Sequence, residues 1–234
     1  MERCGTVSNI PVQTLCETHT DVVHQLLDLP FLATDMTGFW IENCAALKNA
    51  QRLNLASFLA KLASTRVSKD RICQIALLLF CSTFEGRSSI EGGQPDELST
   101  HQTISTLDLT QLMPSVCAWI KEAGHVLVQL SELSWNDCPS HIGQGGQHFL
   151  ESEFGKRSPT GFTPWRWMYW LKRLHEIRQE AIEANEKTLE EQTTEAIDRM
   201  VSQVHDRNSG ILRAYQDGED FLKLDDHLAC LRGR

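Results

Sequence analysis

An all-α fold follows from three observations on this chain of 234 residues. Apolar side chains recur three and four residues apart along most of its length, and no strand-like alternation survives beside them. Glycine, serine and proline gather in two long stretches instead of punctuating short strands. The expected architecture is a single-domain irregular helical bundle of about six to eight helices. Two long loops interrupt it, at residues 85–105 and 134–163, its core covers about 12–208, and a short C-terminal tail follows.

The first helical pattern, Val12 to Leu29, places Val22, Val23, Leu26, Leu27 and Leu29 on one side and stops at Pro30. A second, Ala33 to Leu47, carries Met36, Phe39, Trp40, Cys44 and Leu47. In Gln51 to Ala63 the apolar repeat is Leu55, Phe58, Leu59 and Leu62. Ser68 offers an N-cap for a helix through Ile72, Ile75, Ala76, Leu79 and Phe80, apolar almost all round and therefore central. Gly86, Gly92, Gly93 and Pro95 mark the first loop. A helix resumes near Leu107, with Pro114 in the first turn of its longer part, Ser115 to Leu133, and Val116, Trp119, Ile120, Leu127 and Leu130 inward. The second loop holds Gly143, Gly145, Gly146, Gly155 and Gly161; connections above ~12–15 residues are commonly functional or irregular. After Pro164 the pattern is cleanest: Trp167, Trp170, Leu174, Ile177 and Ala181 form one stripe. A break near Asn185 separates it from Leu189, Thr193, Ile197, Met200 and Val204.

Composition excludes several function classes. The 22 basic and 31 acidic side chains give a net charge of −9. Residues 1–164 carry 11 basic and 17 acidic groups and residues 165–234 carry 11 and 14, so neither segment offers nucleic acid a basic patch. The longest apolar run, Ile75 to Cys81, falls far short of the ~20 residues of a membrane span. The first residues lack the apolar core of a signal peptide, and no Asn-x-Ser/Thr acceptor occurs, so a soluble cytoplasmic protein is expected. Of eight cysteines, Cys44, Cys73, Cys81 and Cys117 fall within apolar helical patterns and no C-x-x-C occurs, which predicts free thiols.

Catalytic signatures are missing. Gly155-Lys156-Arg157-Ser158 lacks the upstream glycine and strand of a phosphate loop, and G-x-S-x-G, H-E-x-x-H and G-x-G-x-x-G are not present. Cys138, His141 and His148 supply three of the four ligands a structural zinc wants, so neither metal nor cofactor is expected. Two features remain. His125 follows Gly124 on the helix of Trp119, where a glycine permits close approach of a neighbouring helix or ligand; the alternative is a hydrogen-bonded core histidine. Six Trp stand against two Tyr, three of them within Trp165-Arg166-Trp167-Met168-Tyr169-Trp170. Arg166 and Arg173 flank the Trp167/Trp170 face, placed to stack on the indoles or to hold a carboxylate.

The run Arg166-Trp167-Met168-Tyr169-Trp170-Leu171-Lys172-Arg173-Leu174 resembles the R-W-x-x-W-x-x-R-L helix of a fungal family of helical proteins classed as a domain of unknown function. The Phe39-Trp40 helix and Gln51 to Leu62 are similar to that family's N-terminal half, for a coverage of about residues 31–205. The resemblance implies a helical fold and a fungal source and carries no established activity. Members of such families also occur beside biosynthetic genes for specialised metabolites, which implies a pathway role.

Two functional expectations follow. In the first, an aromatic-lined pocket binds an apolar small molecule and cyclises or isomerises it without a cofactor. Trp119, Trp167 and Trp170 are then the walls that bind substrate, and His125 and Arg173 the catalytic groups that orient or polarise it. In the second, the chain is a non-catalytic interaction or regulatory module whose amphipathic C-terminal helices dock a partner or a second copy, as a homodimer would.

Overall fold

The computed structural model describes residues 31–66, 70–86, 107–206, 209–218 and 220–232. The pattern from Val12 to Leu29, the Ser68 cap and most of the first loop lie outside these residues. Within them the chain is helical throughout, and no strand occurs among the described residues. The longer helices are α1 (Leu32–Asn43), α2 (Asn49–Ser64), α4 (Leu109–Glu132), α8 (Pro164–Glu183) and α9 (Lys187–His205). Between α2 and α4 a 3-10 turn, Arg71–Cys73, leads into α3 (Gln74–Phe80), which widens into a π-helical turn, Cys81–Glu85.

Helix α4 organises the bundle. It packs most extensively on α2 and α9, and α9 packs equally on α8. Its predicted inward residues Val116, Trp119, Ile120, Leu127 and Leu130 are all fully buried. Pro114 lies inside one continuous helix instead of opening a second one; the turn it interrupts contains the exposed Thr110. Helix α3 is central as predicted: its apolar residues are fully buried except Leu78, which is half-buried.

Helix α2 is rotated relative to its sequence stripe. Ala56, Leu59, Ala60 and Ala63 face the core, whereas Phe58 is 57% exposed. Three alanines on the contact face let the backbone of α2 approach α4 closely, and that dense packing outweighs burying the larger Phe58. Residues 134–163 are folded, as three short helices, α5 (Ser140–Gly143), α6 (Gln147–Glu151) and α7 (Glu153–Arg157). The C-terminal stretch also contributes to the core. Helices α10 (Gly210–Gln216) and α11 (Asp220–Leu224) and the 3-10 turn Asp226–Leu231 bury Ile211, Leu212, Tyr215, Leu222, Leu228 and Leu231, and both α10 and the 3-10 turn pack on α8.

One buried cation fixes the entry to the bundle. Arg52 donates from Nε to the Cys44 carbonyl at 2.8 Å, from Nη2 to the Leu47 carbonyl at 2.7 Å and from Nη1 to Asn49 Oδ1 at 3.1 Å. It thereby satisfies the carbonyls that the end of α1 leaves open. Charge-assisted bonds of this kind each contribute about 1.5–3 kcal/mol. Arg52→Met is therefore expected to lower unfolding free energy by about 2–4 kcal/mol in urea denaturation; a loss below about 0.5 kcal/mol would show that water replaces the cation.

Candidate functional site

The site grows from the π-helical turn. Such a turn inserts a residue into a helix and re-aims the side chains after it. Here it carries Glu85 inward at the end of the apolar α3, where its side chain has no exposure at all. Across from it, Thr163 caps α8 by accepting from the Arg166 amide at 3.1 Å, and Pro164 occupies the first helical position. Arg166 follows in that first turn, also with no exposed side-chain surface.

The two charges meet in a bidentate pair. Arg166 Nε donates to Glu85 Oε1 at 2.6 Å and Nη2 to Oε2 at 2.9 Å. Glu85 Oε1 also accepts from Trp170 Nε1 at 2.7 Å, and Oε2 from the Gly146 amide at 2.7 Å. The rest of the guanidinium goes to backbone: Nη1 to the carbonyls of Gly143 and Gly161 at 2.8 and 3.0 Å, Nη2 to that of Gln144 at 3.3 Å. All five N–H groups of Arg166 are thus used, and the planar fork is what makes this possible. Phe149 and Trp170 lie against the guanidinium, 5.4 and 5.6 Å from ring centroid to Cζ. Phe80 and Phe162 pack edge-on against Trp170 at 5.0 and 5.9 Å.

The glycines of residues 134–163 serve this arrangement. A Cβ on Gly146 would stand 2.8 Å from both Glu85 Cβ and the Glu85 carbonyl oxygen. Gly161 has φ of +72°, and a Cβ there would approach the Trp135 carbonyl oxygen to 2.4 Å. Beside the pair, burial first and the Glu85 charge second push the Cys81 thiol up to about 12. It therefore stays protonated near neutral pH, the inert state of a cysteine.

The tryptophans named from the sequence, Trp119, Trp167 and Trp170, all join the buried core cluster. They differ in one respect: Trp170 donates to Glu85, whereas the Trp119 and Trp167 indole N–H groups meet no acceptor among the described residues. His125 is half-buried. Its neighbour Gly124 admits α9, because a Cβ there would fall 2.3 Å from the Gln203 amide, which donates to the Ile120 carbonyl at 3.0 Å. Arg173 is half-buried and pairs with Glu176 on its own helix. Glu85 was the residue sequence reasoning missed. It sits at the boundary of the first predicted loop, and the signal for it was the arginine opposite, placed to hold a carboxylate.

Elsewhere an open groove of about 700 Å³ runs along α9, lined by Glu190, Glu191, Thr194, Glu195, Asp198, Arg199 and Ser202. No described helix is long and apolar enough to cross a membrane.

A family model described as a protein of unknown function (DUF3632) matches residues 14–174. Its last matched residue is the final leucine of the Arg166–Leu174 run. A Penicillium oxalicum protein named "Oxopyrrolidines biosynthesis cluster protein G" is 53% identical over 206 residues, which is 88% of this chain and 57% of that protein. The chain thus spans just over half the length of that relative. No solved structure matches.

Breaking a buried pair strands the surviving charge, at a cost of about 3–5 kcal/mol. Glu85→Leu and Arg166→Met are each expected to lose that much in urea denaturation, and the double variant less than the sum by at least about 2 kcal/mol. Additive losses would mean that the two charges are solvated independently.

Proposed function

This chain belongs to a fungal protein family of unknown function, and from that premise we propose that it acts in the biosynthesis of a fungal specialised metabolite, binding an apolar small molecule that bears a hydrogen-bond acceptor. The observation that carries the reading is the unpartnered indole N–H groups of Trp119 and Trp167 in the core cluster, a condition that Trp40 on α1 shares. A buried donor without an acceptor costs about 1–3 kcal/mol, and most native tryptophans avoid it. A ligand acceptor reaching either indole would relieve that cost. The name of the Penicillium relative, a biosynthesis cluster protein, supports the pathway part.

In this reading the indoles of Trp119, Trp167 and Trp170 form the apolar surface that meets the ligand. His125 and Arg173 on the same two helices would polarise it, for a cyclisation or isomerisation that uses no cofactor in the cytoplasm. The Glu85–Arg166 pair has no donor left for a substrate; its part is to hold Trp170 and the start of α8 in place. The second reading, a non-catalytic interaction module, draws on the open groove along α9, one of the amphipathic C-terminal helices; the complete burial of the three tryptophans withholds their face from docking.

Native mass spectrometry on protein recovered from the producing fungus separates the two. Wild type is expected to retain a metabolite that the Trp119→Phe/Trp167→Phe variant loses, since phenylalanine keeps the ring and removes the N–H. Equal retention by a folded variant would remove the indoles from the site. A wild-type protein that retains nothing, while deletion of its gene still alters the metabolite profile, would favour the interaction module.

A further inference from the structure

Away from the aromatic core, three histidines and a cysteine gather where the C-terminal 3-10 turn closes on α8 and α9. His175 Nε2 on α8 lies 3.7 Å from Cys230 Sγ on the turn. The His175 and His227 rings stand 5.9 Å apart, tilted by 33°. From α9, His205 Nε2 lies 3.1 Å from the Cys230 carbonyl oxygen. Lys172 of α8 pairs with Asp225 at the start of the turn, and Asp225 also accepts from the His227 amide at 3.0 Å. Leu228 and Leu231 anchor the turn with no exposed surface.

We propose that the turn Asp226–Leu231 is an acid-released clasp: it closes on α8 and α9 while His175 is uncharged and opens when His175 takes a proton. The closed turn half-buries His175 against a thiol and a second imidazole, neither of which compensates a positive charge. The other charges facing it are mixed: Arg178 and His227 oppose protonation, Asp225 and Asp198 favour it. Burial dominates, followed by Arg178 and His227, and holds the His175 pKa down to about 4. In the open state His175 returns to the ordinary value of about 6.5. A base whose proton affinity is depressed when closed loses closing free energy as pH falls from about 6.5 to about 4.

Hydrogen exchange of the full chain, corrected for the intrinsic pH dependence of exchange, tests this. Protection of residues 226–231 is expected to fall by between about tenfold and about 80-fold from pH 6.5 to 4, while α4 amides keep theirs. In His175→Phe, which cannot be charged, the fall is expected to vanish; His175→Gln provides the same test if the larger ring disturbs packing. Constant protection in wild type would overturn the clasp, as would a parallel loss in α4. So would a fall that persists in both His175 variants and disappears in His205→Gln or His227→Gln.

Discussion

The Glu85–Arg166 ion pair is the constraint on which this molecule's arrangement depends. Its members are separated by 81 residues in sequence and meet without any exposed side-chain surface. Charges so placed are tolerated only when each lone pair and each N–H is matched, and here they are matched from four directions. The π-helical turn delivers the carboxylate, the first turn of α8 delivers the guanidinium, Trp170 supplies a third donor and the glycine-rich connection supplies an amide and three carbonyls. One interaction thereby joins α3, α8 and residues 143–161. A pair like this contributes less to net stability than to uniqueness: a shifted α8 would leave two charges stranded.

That constraint divides the tryptophans by role. Trp170 is committed to Glu85, and its ring is clasped by Phe80 and Phe162. Trp119 and Trp167 are equally buried but lack such an acceptor. The proposed small-molecule function rests on that difference. The Penicillium relative is named for a biosynthesis cluster, and the chain spans 57% of its length.

Much of the fold was legible because helical period is a direct record of burial. The stripe Trp167, Trp170, Leu174, Ile177 and Ala181 is buried throughout, as is Leu189, Thr193, Ile197, Met200 and Val204, with a left-handed Asn185 between them. The helical fungal family and its Arg166–Leu174 run were recognisable from the same residues. Period failed where large and small residues compete for one face: α2 buries its alanines and exposes Phe58. It also failed in residues 134–163, where short helices leave too few turns to show a period, and where the glycines mark close contact with Glu85 and Trp135 instead of open loop. Glu85 itself was illegible for a related reason. A lone acid after an apolar helix reads as its solvent boundary, and only the distant Arg166 gives it a reason to turn inward. His125 and Arg173 sit half-buried on helices whose main business is packing, and helical spacing gives a ligand-facing side chain and a packed one the same pattern.

The most direct measurement of the central claim is amide exchange in Arg166→Lys, which keeps the charge and gives up the fork. Gly161 donates its amide to the Gly143 carbonyl at 2.8 Å and Phe162 to that of Trp135 at 2.8 Å, and both amides depend on the guanidinium holding this segment in place. The account predicts that these amides lose protection by at least about tenfold while α4 and α9 are unchanged. Unaltered protection at Gly161 and Phe162 would contradict it, because a point charge would then suffice where five directed donors are claimed.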